Sequence, residues 1–122
     1  VDNLRHLCMT ILEPAREALG PIRVLSGYRC PLLNLAVGGS ATSDHPKGDC
    51  GDVIPMRVSK IEFAKWVIEN CKFDQVILEF GTKFDPAWIH VSSNKKYRGE
   101  VLQKLQGMPY VVVKDLNRYP VA

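Results

Sequence analysis

The chain has 122 residues, enough for one domain, taken as 1–122, with a single modest core. Its 46% hydrophobic and 24% charged residues are ordinary for a soluble globular protein, and no apolar run approaches the ~20 residues of a membrane span. A formal charge of +3 is small and scattered, without the basic stripe that a nucleic-acid partner needs; the one local cluster, "NKKYR" at 94–98, reads as a solvated loop.

The first element is a helix over Asn3 to Leu19. Apolar residues at 4, 7, 8, 11, 12, 15, 18 and 19 give the rhythm of a helix packed on one face. Pro14 is expected to kink or split it, and Gly20-Pro21 to stop it. A short strand follows at Ile22 to Gly27, then a short helix at Pro31 to Val37 and a loop at Gly38 to Ser43. "GDVIPM", Gly51 to Met56, reads as a strand that Pro55 cuts short. Ser59, with Glu62 three residues on, forms a capping box for a helix at Lys60 to Glu69. "DQVILEF" (Asp74 to Phe80) and "AWIHVSS" (Ala87 to Ser93) are strands joined as a hairpin through Gly81 to Pro86, and "YVVVKDL" (Tyr110 to Leu116) is a last strand. Helices and strands mix without regular alternation or repeat, so the fold class is α+β. Cysteines 8, 30, 50 and 71 lack any CxxC spacing. They read as buried free thiols, with two disulfides as the open alternative.

The most unusual stretch is "SDHPKGDCGD", Ser43 to Asp52, which sets His45 and Asp52 seven residues apart. On a helix the two would lie about 10 Å apart along the axis, and on a strand more than ~20 Å apart. Neither separation lets both side chains reach one ion through bonds of ~2 Å. Pro46 and Gly48 occupy the second and fourth positions of a type I turn starting at His45, which folds the chain back and lets the two meet. A third candidate comes from strand periodicity. In "WIHVS", Ile89 and Val91 share one face, and Trp88, His90 and Ser92 the other. His45, Asp52 and His90 make two histidines and an aspartate, a set that leaves a fourth tetrahedral position for water, as catalytic zinc sites do. His6, in the first helix, reads as surface or edge of the core.

"SGYR" (Ser26 to Arg29), "SDHPKGDCGD" and "WIHVS", in this order and at these separations, resemble the zinc D-alanyl-D-alanine carboxypeptidases and murein endopeptidases, a family that includes phage endolysins. The resemblance spans roughly Asn3 to Ser92. It implies the hedgehog/DD-peptidase fold, a small antiparallel sheet flanked by helices, with zinc held by His45, Asp52 and His90. It further implies that Arg29 polarises the scissile carbonyl or holds substrate, and that Ser43 binds substrate. The implied substrate is peptidoglycan peptide, handled by a monomer. No signal peptide opens the chain, so the expected location is the cytoplasm or, for a phage product, release to the wall; a periplasmic or secreted protein is expected where a signal was removed.

Two positions depart from the family pattern. Cys50 stands where a small alanine is usual, a mild exchange for a small buriable side chain. Many members carry Glu or Asp three residues before the last histidine, and that position is Ala87 here. A zinc hydrolase still needs a group that takes a proton from water and returns it to the leaving amine. Glu79, at the end of the strand expected to pair with "WIHVS", is the first candidate, and Asp85 in the hairpin loop is the second. Without such a group the chain would be a catalytically silent zinc-containing module that binds cell wall or serves in a phage structure.

Overall fold

The structure, a computed structural model, describes residues 2–26, 50–93 and 97–120. The short helix expected at Pro31 to Val37 and the loop and turn that follow it lie outside the described residues, as do Arg29, Ser43 and His45. The first helix is continuous but changes gauge along its length: α1 (Asp2–Leu7), a π-helical segment (Cys8–Leu12) and α2 (Glu13–Leu19). Pro14 explains the middle segment. It has no N–H to give Thr10, and its ring collides with the carbonyl four residues back. The backbone widens instead, and the Glu13 N–H reaches the Cys8 carbonyl, five residues earlier.

After β1 (Ile22–Ser26) come β2 (Cys50–Pro55), α3 (Lys60–Asn70), β3 (Gln75–Glu79), β4 (Trp88–Ser92), β5 (Glu100–Lys104), β6 (Val111–Val112) and a closing 3-10 turn, Leu116–Arg118. The Ser59 cap forms as expected, with the Glu62 N–H donating to its hydroxyl at 3.1 Å. The six strands make one sheet in the order β1-β2-β4-β3-β5-β6. The fold is α+β, but the expected purely antiparallel sheet is mixed: β3 and β5 are parallel, and the other neighbours antiparallel. The expected last strand also shrinks to Val111–Val112, and Leu116 belongs to the 3-10 turn.

The parallel pair arises because β4 ends and β5 begins beside the same end of β3, so the chain crosses from one side of β3 to the other. Backbone bonds hold that crossing on both flanks: Asp74 N–H to the Ser92 carbonyl at 2.8 Å and Glu100 N–H to the Asp74 carbonyl at 2.9 Å. The fully buried Asp74 carboxylate accepts from Arg98 three times, from its backbone N–H (3.0 Å), Nε (2.9 Å) and Nη2 (2.7 Å). Arg98, expected in a solvated cluster, is therefore an anchor. A buried carboxylate needs such a bidentate, charge-assisted partner to offset its desolvation.

Alternation along the central strands sorts the side chains by face. Val53, Val76, Leu78, Ile89 and Val91 are wholly buried and pack with Leu7, Ile11 and Ala15 of the first helix and with Ile61, Phe63, Ala64 and Val67 of α3. Each of the larger of these side chains contributes about 1.5–3 kcal/mol by leaving water. Both helices thus cover one face of the sheet. The residues between them in sequence, Asp52, Ile77, Glu79, Trp88 and His90, fall on the other face. Cys8 and Cys71 are free thiols as expected, but half-buried instead of buried.

Candidate active site

Strand register brings the polar row together. Asp52 on β2 is directly opposite His90 on β4, and His90 is opposite Ile77 on β3. Glu79 lies two residues beyond Ile77, opposite Trp88, so it sits diagonally across from His90 on the same face. Ligand-type atoms of Asp52, Glu79 and His90 all lie within 4.8 Å of one another. The Asp52 and His90 side chains are about nine-tenths buried, and His90 Nδ1 is 3.0 Å from Asp52 Oδ1.

This geometry suits a shared cation. Two atoms bound tetrahedrally at ~2.0–2.1 Å from one ion stand about 3.3 Å apart, a few tenths more than the Asp52–His90 spacing. An imidazole nitrogen and a carboxylate oxygen are donors that zinc accepts, provided Nδ1 has shed its proton. The residues present therefore fit zinc. His45, the remaining expected ligand, is outside the described residues, as are the expected substrate residues Arg29 and Ser43.

Glu79 is fixed by its strand partner. The Trp88 indole Nε1–H donates to Glu79 Oε1 at 2.8 Å, and the Trp88 ring packs edge-on against Phe80 with centroids 5.3 Å apart. One carboxylate oxygen is thus held by a neutral donor beside Asp52 and His90. The sequence places Trp88 on this face by period two, but that count alone did not reveal its bond to Glu79. Cys50 and Ser92 continue the same face as a directly opposed pair, both buried.

Asp85 has a different environment. Its side chain is 80% exposed, and Oδ1 meets Lys60 Nζ, at the start of α3, at 3.3 Å. The loop is closed by Thr82 N–H to the Asp85 carbonyl (3.0 Å) and Ala87 N–H to the Glu79 carbonyl (2.9 Å). Gly81, at φ +63°, is required there: a Cβ would stand 2.4 Å from the Asp85 carbonyl oxygen. Of the two candidate carboxylates, only Glu79 is in the cluster with Asp52 and His90.

The fold and site define an α+β domain with a cation-type donor cluster on one face of a mixed sheet. The family model for Peptidase M15 matches residues 2–92, most of the 122-residue chain, and the protein belongs to this peptidase family, whose members are zinc enzymes. No curated protein matches the chain. The matched region ends at the last residue of β4, so β5, β6 and the 3-10 turn lie beyond it. No described helix is long and apolar enough to cross a membrane.

Proposed function

We propose that the protein is a zinc-dependent peptidase of the hedgehog/DD-peptidase type that hydrolyses a peptide bond of peptidoglycan. The bond class is that of a D,D-carboxypeptidase or of an L-Ala-D-Glu or cross-link endopeptidase, and the working unit is a monomer. The observation that carries the reading is the convergence of Asp52, His90 and Glu79 on one sheet face in a chain of this family. Asp52 and His90, with His45, would hold the zinc. When bound, the metal supplies a Lewis acid that lowers the pKa of water toward ~7 and polarises a carbonyl.

The chain's own residues supply the proton chemistry. Glu79 accepts a proton from the attacking water and returns it to the leaving amine. The Trp88 indole, bonded to Oε1, fixes the carboxylate's orientation for that exchange. Because Trp88 is a neutral donor, it orients Glu79 without cancelling its charge. Glu79 thereby fills the role left open by Ala87, from the neighbouring strand instead of from β4. Arg29 and Ser43 would hold the substrate, with Arg29 stabilising negative charge on the scissile oxygen.

Digestion of purified peptidoglycan by the zinc-loaded protein, followed by mass spectrometry of the muropeptides, tests this reading and names the bond. A defined new product series is expected. Intact muropeptides together with pull-down of the protein by the wall would replace the peptidase with a silent wall-binding module.

A further inference from the structure

The β5–β6 hairpin, outside the region matched by the family, brings two polar side chains to the edge of the site. Lys104, the last residue of β5, is the register partner of Glu79 on β3, so it stands next in the row after Glu79. Its ammonium is held by the Met108 carbonyl, by the Leu105 carbonyl at 3.5 Å and by the Tyr110 ring at 5.6 Å from the centroid. None of these partners is a carboxylate, so they orient the cation without neutralising it. Tyr110 is 56% exposed, with its ring in contact with this cation. Its phenol pKa is raised, first by partial burial and then by the negative charges of Glu79 and Asp52. The phenol therefore stays a protonated donor at neutral pH.

The charge of the cluster gives this arrangement a use. With the two positive charges of zinc set against Asp52 and Glu79, the cluster itself offers an anion little net attraction, and a peptidoglycan stem carries free carboxylates. We propose that Lys104 and Tyr110 form a carboxylate-binding subsite beside Glu79, in which the ammonium supplies the charge and the phenol O–H a directed hydrogen bond to a free carboxylate of the substrate peptide. The inference rests on the peptidase reading for its substrate class. Two carboxylates of the stem share this chemistry, the chain-terminal one and the α-carboxylate of D-Glu.

The probe is fluorescently labelled L-Ala-γ-D-Glu-L-Lys-D-Ala-D-Ala, in the free-acid form, with an amidated C-terminus, or with D-isoglutamine in place of D-Glu. Binding to the zinc-loaded protein is followed by stopped-flow anisotropy, which reads affinity before hydrolysis. One of the two amidated forms is expected to bind about tenfold more weakly than the free acid, the scale of a lost charge-assisted hydrogen bond, and thereby names the carboxylate. Lys104→Gln should remove that difference, Lys104→Arg should restore it, and Tyr110→Phe should reduce it. Equal binding of all three peptides by the parent protein, or no binding, overturns the subsite. So does a Lys104→Gln variant that loses affinity for all three alike, since that marks a collapsed hairpin turn. A peptide that binds with the expected preference but is never cleaved would sink the peptidase reading and leave the subsite standing.

Discussion

Replacing Glu79 by Gln tests the least conventional element of the proposed mechanism. The exchange is nearly isosteric, and the amide oxygen can still accept the Trp88 Nε1–H bond that Oε1 accepts now at 2.8 Å. Packing of Trp88 on Phe80 at 5.3 Å is untouched, and Asp52 and His90 keep their 3.0 Å contact. What disappears is the basic oxygen that accepts a proton. A general base is worth about 100-fold or more in rate, which is ~2.7 kcal/mol of barrier. Initial rates on a muropeptide should therefore fall by about two orders of magnitude, with zinc content and melting temperature held at parental values. Asp85→Asn is the matched control. Its carboxylate is 80% exposed and meets Lys60 at 3.3 Å, a surface pair worth about 0–1 kcal/mol, so turnover should change by less than about twofold. Near-parental turnover in Glu79→Gln, or the large loss appearing in Asp85→Asn instead, would refute the assignment.

The remaining expectations follow from the same geometry. Trp88→Phe keeps an aromatic ring but removes the indole donor; losing one hydrogen bond of ~1–1.5 kcal/mol should lower kcat about five- to tenfold with KM unchanged, and a parental kcat would show that Glu79 needs no such support. The zinc-loaded protein should hold about one ion per chain by atomic absorption, and His90→Ala should lose most of it; equal zinc in the two proteins would remove His90 from the ligand set. A chelator should lower the melting temperature, since an ion at 100 times its dissociation constant adds about 2.7 kcal/mol to folding. Asp74→Asn should cost ~2–3 kcal/mol, below the range for a fully buried pair because Arg98 is half exposed and can return to water. That loss should lower the melting temperature by roughly 10 °C; an unchanged melting temperature would deny the crossing from one side of β3 to the other its anchor.

Legibility in the sequence tracked how local each signal was. Ser59 with Glu62 announced α3 because a cap is written within four residues. The period-two alternation of "DQVILEF" and "WIHVS" told which side chains share a face, and with one assumption, that the two strands pair, it put Glu79 beside His90. Pro14 signalled a disturbance in the first helix, but not its form, because a proline can be met by a kink, a break or an added residue in the turn. "EVLQK" escaped notice as β5. Its intermediate residues Glu100 and Lys104 face the same way as Leu102, so no clean alternation marks it, and its place beside β3 is set at long range by Asp74 and Arg98. Arg98 was hidden for the same reason, since a basic residue after two lysines looks solvated until its buried partner is known.

That missed strand bears on the site as well as on the sheet. β3 carries Glu79 and has β4 on one side and β5 on the other, so both edges of its backbone are committed to ladders. The Phe80 N–H continues the β5 side by donating to the Lys104 carbonyl at 2.7 Å, immediately after Glu79. Were β3 an edge strand, its last residue would be free to fray, and the Glu79 carboxylate would sample many positions relative to Asp52 and His90. In the proposed mechanism proton transfer depends on holding the base within hydrogen-bond reach of its water, and a strand added outside β3 would serve that chemistry by removing the freedom to fray. On the proposed mechanism, the clamp of Arg98 on Asp74 would act on the site through the position of β5. A variant that loosens the clamp without unfolding the domain should lower kcat before it alters zinc content, because Asp52 and His90 sit on β2 and β4, on the other side of β3 from the clamped crossing's strand. Measuring kcat and zinc content together in Arg98→Lys, which keeps the charge but loses the planar fork, reads this directly. Loss of zinc in step with kcat would instead place the effect in the sheet as a whole.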